Sequence, residues 1–132
     1  MSPLPLPVTL ATACILSLIY LALVVRVSRG RFLHKVSVGD GGNPDMLVRM
    51  RTHANFAEYI PLILILMGLI ETSNGNPILL MIVGVLLVVF RIMHAIGMPR
   101  RAPNFFRAAG AGGTMLVIAG LALWGLLLVM TA

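Results

Sequence analysis

Polar and ionisable residues are concentrated in one short stretch, RTHANFAEYIP (residues 51–61), which leads into the apolar run IPLILILMGLI. Arg51, Asn55 and Glu58 are spaced i, i+4 and i+7, so a helix would place all three on one stripe. Ionisable groups inside a membrane span are costly, and by default they mark a functional site. The stretch therefore predicts a binding or catalytic site on a membrane helix.

The composition predicts an all-α integral membrane protein. Of the 132 residues, 59% are hydrophobic and only 11% are charged, whereas about a quarter of a soluble domain is charged. The net charge of +6 does not indicate nucleic acid, because the basic residues cluster in two short connections, a pattern that orients membrane proteins. We therefore expect a lipid bilayer as a partner and no nucleic acid. The single cysteine, Cys14, cannot form an intrachain disulfide.

Hydropathy divides the chain into four segments, at about 8–29, 44–72, 77–98 and 104–130. Each segment can supply the roughly 20 residues that cross a bilayer as a helix, the form that satisfies the backbone in lipid. The connections are short, which favours antiparallel neighbours. The sequence thus predicts one membrane domain over residues 1–132, an antiparallel bundle of four transmembrane helices.

The ten Lys and Arg residues all fall in or beside the first and third connections. The positive-inside rule places these two connections in the cytoplasm and both termini on the opposite side. Antiparallel threading then brings the polar ends of the segments into one leaflet. The polar side chains expected there include Arg26, Arg29, Arg51, Arg91, His94 and Arg107.

The charges of this predicted pocket favour an anionic ligand. Several arginines surround a single carboxylate, Glu58, so positive charge is in excess. The planar fork of arginine binds carboxylates through two hydrogen bonds, while Glu58 and Asn55 would suit a cationic amine. We therefore expect a small zwitterion with surplus carboxylates. We expect no metal, because three histidines on separate segments, without a cysteine or carboxylate cluster, do not form a convincing metal site.

Three motifs carry a resemblance to a known family. The run from Arg51 to Pro61, RTHANFAEYIP, resembles the helix II signature of the MAPEG family, the membrane-associated proteins in eicosanoid and glutathione metabolism. RIMH (91–94) resembles the helix III motif, and RAPNFFR (101–107) resembles the entry into helix IV. The loop HKVSVGDGGNP is most similar to the bacterial branch of that family. The resemblance covers nearly the whole chain.

The resemblance implies a homotrimer of four-helix protomers in a bacterial inner membrane. Glutathione, as co-substrate, would bind between neighbouring protomers and be reached from the cytoplasmic side. The residues that the resemblance implies for glutathione binding are Arg26, Arg29, Arg51, His53, Asn55, Glu58, Tyr59, Arg91 and His94. Arg107 matches the helix IV arginine that family members place near the glutathione sulfur.

Arg107 is accordingly the predicted catalytic residue, with Arg29 or Arg26 as second choice. A free thiol has a pKa of about 8.5, and a nearby guanidinium favours the thiolate. The expected reaction is conjugation of glutathione to a hydrophobic electrophile, or reduction of a lipid hydroperoxide. Met98 stands where eukaryotic members often carry tyrosine, and Ala108 stands where some members carry serine, which weakens the case for activation of the thiol by a hydroxyl group.

Two other functions fit parts of the same pattern. A small proton-coupled transporter would use Glu58 as its exchanging carboxylate, although the surrounding arginines would repel a cationic drug. A non-catalytic membrane scaffold would use the polar stripe only to lock its oligomer. The sequence leaves open the second substrate, the choice between Arg26 and Arg29, and the contacts that cross the subunit interface.

Overall fold

The computed structural model describes residues 4–131, and this range forms four α-helices and no strand. They are α1 (Pro7–His34), α2 (Pro44–Thr72), α3 (Pro77–Gly97) and α4 (Phe105–Thr131). Each is long and apolar enough to cross a membrane. The predicted all-α membrane bundle is confirmed, whereas the homotrimer stays a prediction. The single domain over 1–132 also stays a prediction, and residues 1–3 and 132 lie outside the described residues.

Helix α1 extends to His34, beyond the end predicted near residue 29. Hydropathy falls at the first arginines, but the helix continues past the apolar run because Gly30 is buried against Met46 and Arg49 of α2. It ends at Lys35, which has a left-handed backbone (φ 54°) and donates its N–H to the carbonyl of Phe32. We call the part of α1 beyond Arg26 the overhang of this helix.

Asparagine and proline together start two of the helices. The side chain of Asn43 accepts the N–H of Met46 at 3.0 Å, and Pro44 follows as the first residue of α2. Asn76 caps α3 in the same way, ahead of Pro77. Asparagine satisfies the free amides of a first turn, and proline already has the helical φ. Both helix starts are therefore encoded locally.

The two ends of the bundle are aligned by hydrogen bonds between helices. At one end, Glu71 of α2 accepts the N–H groups of Val8 (2.9 Å) and Thr9 (2.8 Å) at the start of α1. At the other end, Arg26 donates to the carbonyl of Ala95 on α3 at 3.4 Å. The helical rise from Pro7 to Arg26 is about 30 Å, the thickness of the hydrocarbon core.

We call the second of these ends the basic end. It is where α1 and α3 finish and where α2 and α4 begin, and its basic side chains are those of Arg26–Lys35, Arg49, Arg51, Arg100, Arg101 and Arg107. The apolar core lies between the two ends, and its most buried members come from each helix: Leu16, Ile63, Met67, Leu80, Leu87 and Leu121.

Candidate functional site

The most unusual side chain of the bundle is Arg91, which is 1% exposed although it lies on a membrane helix. Its Nη2 donates to Oδ1 of Asn55 on α2 at 2.9 Å, and its guanidinium carbon lies 5.7 Å from the ring centre of Phe56. Nε and Nη1 are buried and have no hydrogen-bond partner among residues 4–131. Because arginine remains charged in proteins, the Nε and Nη1 groups of this buried cation are hydrogen-bond donors without an acceptor within residues 4–131.

Tyr59 and His94 surround this cation. Tyr59 is half-buried, packs on the apolar core, and lies within electrostatic range of Arg91. His94, one turn after Arg91 on α3, is 5% exposed and within electrostatic range of both Arg91 and Arg107. An added Cβ at Gly110 of α4 would collide with the backbone of His94, so α3 and α4 touch here. The structure therefore brings α3 and α4 together around Arg91, His94 and Arg107.

Arg107 is exposed in the first turn of α4, beside a groove of about 500 Å³ that also includes Pro103 and Ala108. Its backbone N–H donates to Oδ1 of Asn104 at 2.9 Å, and Asn104 Nδ2 donates to the carbonyl of Gly97 at 3.1 Å. Asn104 thus caps the start of α4 and the end of α3 at once, and it fixes the point from which Arg107 projects.

Arg51 and Glu58 are exposed on the face of α2 that also carries the exposed apolar residues Leu62 and Ile65. Glu58 lies two turns beyond Arg51, about 10 Å deeper along the helix axis. A carboxylate facing hydrocarbon at this depth is costly. Within residues 4–131, neither Arg51 nor Glu58 forms an ion pair.

Two predicted site residues contact neighbouring helices of the bundle, and their role in binding stays a prediction. The ring of His53 lies 4.9 Å from the ring of Tyr20 on α1, because His53 is about 200° around the helix from Arg51. Arg26 is half-buried and donates to the carbonyl of Ala95, whereas Arg29 is exposed. Of the two arginines proposed on the first helix, Arg29 thus has the more accessible side chain.

A second polar cluster at the basic end was not anticipated from the sequence. Asp45 Oδ2 is 2.8 Å from His34 Nε2 and accepts a hydrogen bond from Arg49 Nε, also at 2.8 Å. Arg49 Nη1 donates to the carbonyl of Arg26 at 3.1 Å. The i, i+4 spacing of Asp45 and Arg49 could have indicated their pairing, but the link to His34 crosses the loop between α1 and α2. The role of this cluster is to anchor that loop.

The described part of the chain contains no group of three or more His, Cys, Asp or Glu side chains that could hold a metal ion. The absence of a metal from the mechanism stays a prediction.

Comparison with known proteins gives one family and two relatives. The model of the MAPEG family matches residues 9–127. Two proteins named inner membrane protein YecN, from Escherichia coli K12 and from an E. coli strain of serotype O6:H1, are each 35% identical to this chain over 75 residues. The match covers 57% of this chain and 57% of each relative, so it spans little more than half of their length.

Proposed function

Since the chain belongs to the MAPEG family, we propose that it is a membrane-embedded, glutathione-dependent transferase or peroxidase. It binds glutathione in an arginine-rich pocket at the basic end. It then either conjugates the tripeptide to a hydrophobic electrophile or uses it to reduce a lipid hydroperoxide. The observation that carries the proposal is the buried guanidinium of Arg91, with Nε and Nη1 unpaired within the described residues.

The residues near Arg91 fit glutathione, which carries two carboxylates, one ammonium group and a thiol. The unpaired donors of Arg91 suit a carboxylate, because charge-assisted hydrogen bonds to arginine are short and strong. The exposed carboxylate of Glu58 is the matching acceptor for the ammonium group. Arg51 and Arg29, both exposed at the basic end, provide further positive charge. The excess of positive charge in this set of residues complements the excess of negative charge on glutathione.

The exposed position of Glu58 also supports the homotrimer. A neighbouring protomer packed on α2 would remove Arg51 and Glu58 from lipid and convert an open stripe into an enclosed pocket. Polar residues at helix interfaces in membranes are commonly used in this way. In the proposed assembly, glutathione binds between protomers, so one protomer alone holds only part of the site.

In the proposed mechanism, bound glutathione supplies a nucleophilic thiol. Arg107 stabilises the thiolate electrostatically and lowers the thiol pKa, and each tenfold increase in the acidity of the thiol corresponds to about 1.4 kcal/mol. A guanidinium does not accept a proton, so the proton leaves to water at the basic end. Asn104 holds the backbone of Arg107 in position. An electrophile dissolved in the bilayer approaches along the helices, and proximity supplies much of the remaining rate.

The relatives' names support an inner membrane location, since both are called inner membrane proteins. The distribution of basic residues supports a basic end that faces the cytoplasm, where glutathione is available. The termini of the chain would then lie on the opposite side.

The test is a calorimetric titration of glutathione into the purified, detergent-solubilised protein and its Glu58→Gln variant. We expect micromolar to low-millimolar binding by the wild type and weaker binding by the variant. Glu71→Gln is the matched control, because it removes the same charge from the opposite end of the same helix. Binding by Glu71→Gln should equal that of the wild type, provided that it elutes as the same oligomer.

Wild-type protein that is oligomeric yet binds no glutathione would contradict the enzyme proposal. In that case, export of a cation that depends on Glu58 and on a pH gradient would favour the transporter. Dissociation of the oligomer in Arg51 and Glu58 variants, again without ligand binding, would favour the scaffold.

A further inference from the structure

Helix α1 is longer than a membrane span requires. Its 28 residues extend about 42 Å, whereas the hydrocarbon core is about 30 Å thick. Because Val8 and Thr9 are bonded to Glu71 at the far end, the excess lies at the basic end, beyond Arg26. The last two turns of α1 therefore stand at the level of the lipid headgroups, which form a layer several ångströms thick outside the hydrocarbon.

One stripe of this overhang forms a groove. Ser28, Arg31 and Phe32 are spaced i, i+3 and i+4, so they share one face of α1, and Lys35 follows at the cap of the helix. With Val36 and Ser37 of the following loop they line a groove of about 490 Å³. Arg31 fixes the loop side of the groove to the helix, because its Nη1 donates to the loop carbonyls of Ser37 (3.1 Å) and Gly39 (3.3 Å).

The groove combines positive charge with a large apolar side chain. Phe32 is 86% exposed, and the adjacent Leu33 is 70% exposed. Side chains on a helix tilt toward its N-terminus, so Phe32 and Leu33 lean back toward the hydrocarbon. Lys35 can extend its charged end outward to the level of the phosphates, while the bonds to Ser37 and Gly39 hold the guanidinium of Arg31 beside the loop. Each part of the groove therefore lies at the depth that suits its chemistry.

The positive charge of the groove is not neutralised by the protein. Within residues 4–131, neither Arg31 nor Lys35 forms an ion pair. Of the two acidic residues nearest in sequence, Asp45 is paired with His34 and Arg49, and Asp40 accepts the N–H of Gly42 and forms no ion pair within residues 4–131. An external anion is the complement that this surface lacks.

We propose that the groove of Ser28, Arg31, Phe32, Lys35, Val36 and Ser37 binds the headgroup of an anionic phospholipid. The phosphate meets Arg31 and Lys35, the hydroxyl groups of Ser28 and Ser37 complete the polar side, and one acyl chain descends past Phe32. The apolar rim favours a lipid over a free phosphate. The site is separate from the glutathione pocket, because Arg29 lies about 200° around α1 from Arg31.

The test compares two lipids of identical acyl chains, phosphatidylglycerol and phosphatidylcholine, added to the protein in neutral detergent. Native mass spectrometry measures retained lipid, and thermal unfolding measures the change in Tm. We expect phosphatidylglycerol to be retained and to raise Tm, and phosphatidylcholine to do neither. Lys35→Gln should weaken the binding of phosphatidylglycerol about fivefold, the effect of one basic side chain near a membrane surface.

Arg101→Gln is the matched control, because Arg101 is an exposed basic residue of the same end that lies outside the groove. It should retain phosphatidylglycerol as the wild type does. Phe32→Ser is a second groove variant, in case Lys35→Gln does not fold. It should lower lipid retention and leave the Tm without lipid unchanged.

Three results would overturn the proposal. Equal retention of the two lipids would show that the headgroup charge is not recognised. An equal loss in Arg101→Gln would assign the effect to the general charge of the basic end. Displacement of the lipid by millimolar inorganic phosphate would identify a free-anion site in place of a lipid site.

Discussion

Arg91 of α3 and Asn55 of α2 are joined by a hydrogen bond of 2.9 Å, in which the guanidinium Nη2 donates to the amide Oδ1. The bond occupies the acceptor end of Asn55 and turns its Nδ2 away from Arg91. Asn55 therefore orients the buried cation. In the proposed glutathione site, its Nδ2 would donate to the ligand, and Glu58 on the same stripe would accept the ammonium group.

Replacement of Arg91 by methionine separates binding from stability. Arg91→Met removes a buried cation whose Nε and Nη1 are unpaired within the described residues, which favours stability. It also leaves Asn55 Oδ1 without its donor, which opposes that gain. We expect these two effects to offset each other, so the Tm of the ligand-free protein in detergent should change little, and calorimetric binding of glutathione should be lost.

Asn55→Ala is the complementary variant. It leaves the charge in place and removes the bonded acceptor, which should destabilise the protein by about 1–3 kcal/mol. Glutathione binding that survives in Arg91→Met would contradict a ligand-binding role for Arg91.

Arg107→Leu tests the activation of the thiol. Because Arg107 is exposed, the variant should fold with the Tm of the wild type. It should still bind glutathione, but the ultraviolet absorbance of bound thiolate should disappear, and turnover should fall roughly in proportion to the lost thiolate fraction. Arg100→Leu, which removes a neighbouring exposed arginine, is the control. Thiolate absorbance that survives in Arg107→Leu would show that another group activates the thiol.

The periodic and composition-driven features of this chain could be predicted from the sequence. The apolar runs indicated the spans, and the helical period placed Arg51, Asn55 and Glu58 on one stripe. The overhang of α1 was missed because hydropathy falls after Val27, whereas the helix continues through Gly30, which packs against Met46 and Arg49 of α2. The direction of His53 toward Tyr20 was missed for a different reason, since it depends on which helix packs beside α2.

The role of Glu71, at the other end of the bundle, could likewise not be predicted from the local sequence. Its carboxylate accepts from Val8 and Thr9, more than sixty positions away in the sequence. Local patterns indicate a glutamate near the membrane edge, but they do not reveal that it caps another helix. The cap that Asn104 forms at the start of α4 is easier to predict from the sequence, because asparagine just before a helix is a common cap.

Glu71→Gln should destabilise the protein without affecting the proposed site. The carboxylate accepts two N–H groups, and an amide retains one acceptor oxygen, so one bond weakens or is lost. Hydrogen bonds to charged groups contribute about 1.5–3 kcal/mol, so we expect a lower Tm in detergent. Glu58→Gln, in which the carboxylate is exposed on the isolated protomer, should change Tm much less. Equal Tm values for the two variants would contradict the capping role.

Two glycines of α4 give the sharpest test of helix packing. An added Cβ at Gly110 would collide with the backbone of His94, whereas a Cβ at Gly112 would meet nothing within 4 Å. Gly110→Ala should therefore force α3 and α4 apart and lower stability by about 1–3 kcal/mol, as overpacking does. Gly112→Ala should raise stability by up to about 1 kcal/mol, because alanine is the better helix former.

The pair of glycine variants also reports on the site, because Gly110 holds α4 against His94 near Arg107. Thermal unfolding and glutathione titration of both variants should give a loss of stability and of affinity in Gly110→Ala alone. Gly112→Ala has a second diagnostic value, since Gly112 is exposed on the isolated protomer. If it instead dissociates the oligomer, that face of α4 lies against a neighbouring protomer, where a methyl group has no room.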